Sequence, residues 1–217
     1  MTLGNLKKIL EPVYTALFGA FHVELKNAIS PYKNLIDIGC GSNSSIRFFS
    51  DQLDATGVDG FAPAIELSRQ RRIHKQYLQM DLKDIGEKIP AGSYDCVLCA
   101  DVIEHFEKEQ SRKFIGTLEK IARRRVVLFT PNGFVPQGAL DGNEFQIHRC
   151  GWEVEELEAL GYSVTGIYGH KILRGECADY KIKPAILGKL VSDATQPFVR
   201  KHPKKAFALL AVKDIGN

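Results

Sequence analysis

The chain contains 217 residues, of which 44% are hydrophobic and 25% are charged. This length suits one domain with a continuous core and leaves too few residues for a second full domain. The net charge of +3 is mild and gives little reason to expect an anionic partner. No apolar run approaches the roughly 20 residues that a membrane span requires, and no segment resembles a secretory signal. We therefore expect a soluble, cytoplasmic protein.

The five cysteines are odd in number and scattered along the chain, which indicates a reducing compartment rather than a disulfide framework. Cys96 and Cys99 form a C-x-x-C pair, a spacing that also occurs in redox and metal sites. They lie within YDCVLCA, however, which has the composition of a buried strand. Residues three apart on a strand point to opposite faces, so we predict two core cysteines.

The order of elements predicts a parallel sheet with crossover helices. Apolar residues at helical spacing predict a helix within residues 3–29, with a break near Pro12. Short apolar runs then predict strands at Leu35–Ile38, Ala55–Asp59, Gln76–Gln79, Tyr94–Ala100, Val126–Thr130, Tyr162–Tyr168 and Ala206–Val212. Amphipathic segments predict helices at Asn43–Gln52, Pro63–His74, Glu107–Arg123 and Trp152–Leu160. The basic run 123–125 would then end a helix, where cations interact favourably with the helix dipole, and we prefer that interpretation to nucleic-acid contact.

The most informative segment is NLIDIGCGSNSS, residues 34–45. A predicted strand ends at Ile38, a glycine-rich turn follows, and the next predicted helix begins near Ser44. Gly39 and Gly41 allow a tight turn and let a ligand approach the backbone, and a helix N-terminus beyond them would supply free N–H groups. This pattern alone matches any nucleotide-binding α/β protein.

Asp37 narrows the choice of ligand. Its carboxylate, two residues before the first glycine, would repel the phosphates of a dinucleotide or of ATP. The turn also lacks the Lys-Ser or Lys-Thr of a phosphate-binding loop, and Ser44 replaces the third glycine of G-x-G-x-x-G. S-adenosylmethionine carries an ammonium and a sulfonium but no phosphate, so charge favours it as the cofactor.

A second acid, Asp59, ends the next predicted strand in GVDG. Doubly wound folds place an acid that binds a ribose diol roughly 20 residues after the glycine turn. The competing interpretation is an aspartate that caps the following helix. We prefer the ribose role because the spacing fits it.

The segments DIGCGS, GVDG, MDLKD and DVIEHF occur in this order within residues 34–135. The ordered set resembles class I S-adenosylmethionine-dependent methyltransferases, and is most similar to the small-molecule O-methyltransferases, including the ubiquinone-biosynthesis type. The resemblance implies a Rossmann-like, doubly wound α/β fold: a mostly parallel seven-stranded sheet with an antiparallel C-terminal strand and helices on both faces. We divide this single domain, residues 1–217, into an N-terminal helical cap (1–30), a cofactor-binding half (31–135) and an acceptor-side half (136–217).

The resemblance also implies roles for individual residues. The acid of DIGCG holds the methionine amino group through its loop, and the acid of GVDG binds the ribose hydroxyls. The Asp-Leu pair of MDLKD lies at the adenine, and the start of ADVIEHF lines the methionine end. The implied cofactor contacts are Asp37, Gly39, Cys40, Gly41, Asp59, Gly60, Asp81, Leu82, Ala100, Asp101 and Val102.

Two histidines are candidate catalytic bases, since an oxygen acceptor usually has to lose a proton. His105, in DVIEHF, lies near the sheet edge where such folds bind ligands, although we weigh a structural role in its loop more heavily. His148, in EFQIHRC, falls in the segment that contacts the acceptor in the resembling family, and a helix-entry role is equally plausible for it. Glu104 and Asp101 are alternative bases.

We predict no metal site, because the remaining histidines show no ligand spacing. These are His22, His74, His170 and His202.

The stretch 181–205 contains six lysines and one arginine against a single acid, Asp193. Apolar residues recur within it at helical spacing. One interpretation is a basic amphipathic helix that contacts a membrane surface or an anionic substrate. We prefer a lid or packing helix with a solvated basic face, since such faces are common.

Three functions remain open. We favour methyl transfer to an oxygen or nitrogen of a small-molecule acceptor. An RNA methyltransferase would be expected to have a strongly basic surface or an RNA-binding module, and an Asn/Asp-Pro-Pro-aromatic motif where this chain has DVIEHF, so a nucleic-acid partner is disfavoured. The third is a non-catalytic partner subunit with the cofactor fold, against which the intact set of acids and glycines argues.

Overall fold

A computed structural model describes residues 19–139, 142–175 and 178–216. The first described residues, 19–29, are helical and form α1. The rest of the predicted N-terminal helix lies outside the described residues.

The described residues form one seven-stranded sheet with helices on both faces. Its strands are β1 (Asn34–Ile38), β2 (Asp54–Asp59), β3 (Gln76–Gln79), β4 (Tyr94–Ala100), β5 (Ala122–Pro131), β6 (Ser163–His170) and β7 (Ala206–Asp214). Their order across the sheet is β3-β2-β1-β4-β5-β7-β6. The first five strands are parallel, and β7 runs antiparallel between β5 and β6. The predicted Rossmann-like fold with an antiparallel C-terminal strand is therefore confirmed.

Helices cover both faces of the sheet. They are α2 (Ala62–Gln70), α3 (Ile85–Lys88), α4 (Lys108–Ile121), α5 (Val154–Ala159), α6 (Ala185–Ala194) and α7 (Gln196–Lys201). The side chains of β4 alternate between two hydrophobic clusters: Cys96 and Leu98 pack in the cluster that includes α1, and Val97 and Cys99 in the one that includes α4. The two cysteines of the C-x-x-C pair therefore face opposite sides of the sheet, as predicted from strand alternation.

The predicted helix Asn43–Gln52 is wrong. Residues 45–49 form turns, and only Ser50–Gln52 form a short 3-10 helix. The backbone makes bonds three residues back, from Arg47 N to Ser44 O (3.2 Å) and from Phe49 N to Ile46 O (2.9 Å). The Arg47 guanidinium also donates to the carbonyls of Asn43 and Ser44. Serine and asparagine side chains compete for backbone groups in this way, so they favour caps and turns over helix interiors.

The basic run 123–125 is likewise not a helix end, because α4 stops at Ile121 and β5 begins at Ala122. Arg123 forms an ion pair with Asp95 (2.5 Å), and Arg125 with Asp214 (2.6 Å). These pairs join β5 to its neighbours β4 and β7. The run is therefore part of a strand and takes part in sheet contacts.

The segment 181–205 does contain a helix that packs on the protein, but it packs through its small side chains and not through its large apolar ones. In α6 the buried residues are Gly188 and Ser192, whereas Ile186 is 71% exposed and Leu190 61% exposed. The helix rests on the end of β6 through Ser192, whose hydroxyl donates to Tyr168 O (3.1 Å). Its large apolar side chains therefore face outward. No helix in the described ranges is long and apolar enough to cross a bilayer.

Candidate active site

A cavity of about 440 Å³ opens at the carboxyl edge of the parallel strands. It lies at the end of β1, which has β2 on one side and β4 on the other. From β1 the chain builds the sheet first in one direction and then in the other, and folds of this kind bind ligands at such a point. Acidic side chains predominate in its wall: Asp59, Asp81, Asp101, Glu107 and Glu144, against Lys83 and Arg149. The cavity therefore favours a ligand that carries positive charge.

Asp59 fixes the glycine turn against the end of β2. Its two carboxylate oxygens accept hydrogen bonds from Phe61 N (2.8 Å) and Gly41 N (2.9 Å). Burial raises the pKa of Asp59, and these N–H donors oppose that rise. A carboxylate offers about four acceptor positions, so Asp59 can still accept hydroxyl groups from the cavity.

Gly39 occupies a position that no other residue fits. Its φ of +74° lies in the left-handed region, and a Cβ there would lie 2.2 Å from Val102 Cγ2. The close approach brings the turn after β1 against the loop after β4.

Asp37 lies beneath the turn rather than in the cavity wall. It is buried, accepts a short hydrogen bond from Ser44 Oγ, and contacts His74 Nε2 at 2.8 Å. The His74 side chain has no exposed surface. The three side chains thus hold the glycine turn from below, while the charge of Asp37 remains close to the site.

The loop after β4 carries two more acids, Asp101 in the cavity wall and Glu104 in the protein interior. Asp101 has a φ of +53°, and its carboxyl is reached through the cavity, but the surrounding protein raises its pKa to about 7. Glu104 is buried, and burial together with the charge of Asp101 raises its pKa well above the ordinary range. One oxygen of Glu104 accepts from Thr130 Oγ1 at 3.1 Å.

Backbone bonds bring the segment 147–152 against this loop. Arg149 N and Cys150 N both donate to Glu104 O, at 2.8 and 3.1 Å. Trp152 is fully buried and donates from Nε1 to Ser111 Oγ, which in turn donates to Ile103 O. These contacts fix the position of His148 relative to the loop after β4.

His105 and His148 consequently lie side by side, with ring centroids 4.9 Å apart. His105 Nδ1 donates to Ile147 O (3.2 Å), and His148 Nδ1 donates to Val135 O (2.6 Å). Burial lowers the pKa of both rings. Neutral imidazoles whose Nδ1 carries the proton present a lone pair on Nε2.

Residues 36–130 match the model of a methyltransferase domain family. No curated protein matches the chain in sequence. Three solved structures are similar in fold. The methyltransferase domain of bacterial CtHen1 is 19% identical, with a TM-score of 0.55 over 93% of this chain and 98% of that one.

A SAM-dependent methyltransferase from Archaeoglobus fulgidus is 16% identical, with a TM-score of 0.56 over 91% and 94% of the two chains. The magnesium protoporphyrin IX methyltransferase from Synechocystis PCC 6803, solved with SAM bound, is 15% identical, with a TM-score of 0.54 over 100% and 86%. Identity this low establishes a shared fold only; the match over residues 36–130 adds the similarity to a methyltransferase domain.

The activity that the match over residues 36–130 supports is that of an S-adenosylmethionine-dependent methyltransferase.

The cavity of this methyltransferase fits its cofactor. Its acidic wall complements an ammonium and a sulfonium, and a Cβ on Gly41 would find no atom within 4 Å, so the turn leaves open space for a ligand. Of the residues expected to contact the cofactor, those in the cavity wall are Gly39, Gly41, Asp59, Gly60, Asp81, Leu82, Asp101 and Val102. Asp37, Cys40 and Ala100 lie outside that wall.

The two candidate bases of the methyltransferase are placed differently. His105 lines the cavity, whereas His148 is next to it through its contact with the His105 ring. Phe134, which follows β5, is 57% exposed and lies outside the cavity wall.

Sequence reasoning missed the loop 143–146, which lines the cavity near Gly60. Phe145 reaches within 3.7 Å of the position that a Cβ on Gly60 would take. The other unpredicted wall residues include Lys83, Phe106, Gln110, Asn143, Gln146 and Arg149. The signal available in the sequence was Asn143, a residue type that often caps helices. In the structure it caps the 3-10 helix Glu144–Gln146, directly before the His148 segment.

Proposed function

We propose that the methyltransferase transfers a methyl group to an oxygen or nitrogen of a small-molecule acceptor. S-adenosylmethionine supplies a methyl carbon that its sulfonium already activates. The chain then has to align the acceptor, exclude water and accept a proton, and alignment contributes several kcal/mol. The observation that carries the proposal is the position of the His105–His148 pair beside the acidic cavity.

Each cofactor contact has a specific task in this proposal. Asp59 accepts the ribose hydroxyls, the loop at Asp81 and Leu82 contacts adenine, and the carboxylate of Asp101 faces the methionine end. The segment 136–217 supplies the acceptor side, as an expectation from the resemblance to small-molecule methyltransferases. The imidazole Nε2 atoms are the groups suited to take the acceptor proton.

The cavity size suits the cofactor. Small-molecule sites usually occupy about 300–1,000 Å³, and this cavity lies within that range. The basic run 123–125, which could have suggested nucleic-acid binding, is engaged in sheet ion pairs through Arg123 and Arg125. The RNA methyltransferase is therefore the less favoured alternative, and a non-catalytic subunit is the third.

The proposal includes a reducing location, the cytoplasm. The described cysteines that are free are all buried: Cys40, Cys96, Cys99 and Cys150. Burial raises the pKa of the Cys96 thiol to about 12, so that thiol stays protonated and resists exchange.

The test is calorimetric titration with S-adenosylmethionine, S-adenosylhomocysteine and, as a control, NAD. We expect both sulfur compounds to bind and NAD not to bind. Asp59→Ala should weaken S-adenosylhomocysteine binding about ten- to a hundredfold, because a hydrogen bond to a charged acceptor contributes about 1.5–3 kcal/mol. Asp54→Ala is the matched control, since Asp54 begins the same strand and is exposed.

An acceptor screen completes the test by following S-adenosylhomocysteine release with hydroxylated compounds, amines and RNA. Release with a hydroxylated compound or amine supports the proposal, and release with RNA alone contradicts it. If neither sulfur compound binds, the chain is not an enzyme of this kind by itself, and the partner-subunit alternative replaces it.

A further inference from the structure

The most unusual group beside the cavity is an unpaired buried carboxylate oxygen. Glu104 is 1% exposed, and its Oε1 has no hydrogen-bond partner among the described residues. Burying an unpaired carboxylate is costly unless a donor or a cation compensates it. Adding a proton would leave a buried O–H that still lacks a partner in this position.

Two imidazoles lie close to the Glu104 carboxyl group. One ligand atom from each of Glu104, His105 and His148 lies within 4.8 Å of the other two. The Nδ1 atoms of both histidines are fixed by backbone carbonyls, which directs each Nε2 lone pair away from those bonds. Metal-binding histidines almost always have this arrangement, in which the second ring nitrogen donates to a carbonyl or a carboxylate.

We infer that Glu104, His105 and His148 bind a divalent transition-metal ion beside the methyl-transfer cavity. This departs from the expectation of no metal, which considered the spacing of the other four histidines. Spacing cannot pair His105 with His148, because backbone bonds from the 147–152 segment to Glu104 O bring them together. The ligand set resembles neither a tetracysteine site nor an all-oxygen site.

The ligand chemistry narrows the choice of ion. Two imidazoles and one carboxylate suit Mn²⁺, Fe²⁺ or Zn²⁺ better than Ca²⁺ or Mg²⁺, which prefer oxygen ligands. Three protein ligands leave positions open for water or substrate.

The role of the ion rests on the proposed function and specifies the acceptor as a hydroxyl compound. A hydroxyl bound next to a divalent cation loses its proton more easily. That proton passes to solvent water, an oxygen lone pair forms the new bond to the methyl carbon, and the carbon–sulfur bond breaks with its electron pair left on sulfur. With the cation bound, the two histidines hold the ion, and solvent water takes the proton that they would accept in its absence.

The experiment is a titration of the chelator-treated full chain with Mn²⁺, followed by electron paramagnetic resonance, with Zn²⁺ as competitor. We expect one Mn²⁺ per chain, displaced by Zn²⁺, with pulsed spectra that show nitrogen coupling from imidazole. Glu104→Gln and His148→Ala should each weaken Mn²⁺ binding at least about tenfold, and His148→Ala should reduce the nitrogen coupling. His202→Ala, an exposed histidine at the end of α7, is the matched control and should bind as the wild type does.

S-adenosylhomocysteine titration separates this inference from the proposed function. His148→Ala should lose Mn²⁺ and keep S-adenosylhomocysteine, whereas Asp59→Ala should show the reverse. S-adenosylhomocysteine binding also shows which variants are folded, and His148→Gln replaces His148→Ala if the latter is not. The inference is overturned if wild-type protein binds S-adenosylhomocysteine but neither Mn²⁺ nor Zn²⁺. It is equally overturned if folded Glu104→Gln and His148→Ala both retain wild-type Mn²⁺ binding. If the wild-type protein binds Mn²⁺ but not S-adenosylhomocysteine, that result counts only against the proposed function.

Discussion

Asp37 illustrates what a single residue in the sequence can and cannot predict. Its charge excluded phosphate-containing ligands, and the chain is a methyltransferase that uses S-adenosylmethionine. Its partner His74 was not predictable, because that contact depends on where the chain returns after α2. Arg72, with a φ of +54°, turns the backbone there, and no local pattern signals the contact of His74 with Asp37.

The Asp37–His74 contact should contribute strongly to stability. His74→Ala would leave the Asp37 carboxylate buried with Ser44 as its remaining side-chain partner, and depriving a buried acceptor of a hydrogen-bond donor costs about 1–3 kcal/mol. The free energy of unfolding in urea should fall by that amount. The matched control is Lys75→Ala, which removes an exposed pair with Asp54 and should cost less than about 1 kcal/mol. Similar losses for the two variants would contradict a special role for the buried pair.

At the scale of elements, strands were easier to predict than helices. Both β3 and β4 begin and end at the predicted residues. In β4 a buried apolar run sets clear ends, whereas β3 is a short strand at the sheet edge with no buried residue. The helix after β1 was mispredicted because its apolar residues have helical spacing. In the structure Ser44 binds the Asp37 carboxylate and Arg47 binds backbone carbonyls, and these contacts accompany turns instead of a helix. The start of β5 was mispredicted because α4 passes into it without a loop.

The close packing of the 147–152 segment against residues 133–134 predicts that a larger side chain at Gly151 destabilises the protein. A Cβ on Gly151 would lie 2.3 Å from Phe134 N and 2.5 Å from Gly133 C, so Gly151→Ala requires the backbone to move. We expect a loss of about 1–3 kcal/mol, seen as a fall in melting temperature of about 2–4 °C per kcal/mol. Because His148 moves with the segment, Mn²⁺ binding should weaken while S-adenosylhomocysteine binding persists.

The matched control is the same change in a helix. A Cβ on Gly116, in α4, would meet no atom within 4 Å. Gly116→Ala should therefore stabilise the chain by about 0.4–1 kcal/mol, since alanine loses less conformational freedom on folding. A Gly151→Ala variant that melts at or above the wild-type temperature would show that this segment is not packed as described.

At the scale of the described chain, the sheet order agrees with the resemblance, whereas the surface differs from what was expected. The resemblance was enough to predict seven strands with an antiparallel last one. It did not predict the direction of the apolar side chains in α6 and α7, because helical spacing shows that a face exists but not which partner covers it. Gly188 decides the direction: a Cβ there would lie 2.6 Å from Ile182 O and from Tyr180 Cβ, so the small side of α6 faces the protein.

The outward side forms an apolar C-terminal surface, comprising Ile172, Ile186, Leu187, Leu190 and Phe198, each at least 45% exposed. Exposed lysines lie next to these residues in the sequence, including Lys171, Lys183 and Lys189. Apolar side chains beside cations match the chemistry of an anionic bilayer surface, whereas a soluble anionic ligand would not need the apolar groups. We therefore expect this surface to contact anionic membranes.

Vesicle sedimentation tests this expectation with the full chain. Phosphatidylcholine vesicles that contain phosphatidylserine should bind the protein, and pure phosphatidylcholine vesicles should bind it much less. Added salt should weaken binding because lysines near the surface contribute about 1 kcal/mol each.

The double variant Ile186→Glu and Leu190→Glu should lose vesicle binding and keep S-adenosylhomocysteine affinity, since the cavity lies elsewhere. Phe48→Glu, at an exposed aromatic residue outside this surface, is the control for added negative charge. Binding that survives the double variant would assign membrane contact to another part of the chain, and self-association without vesicle binding would identify the surface as a contact between copies.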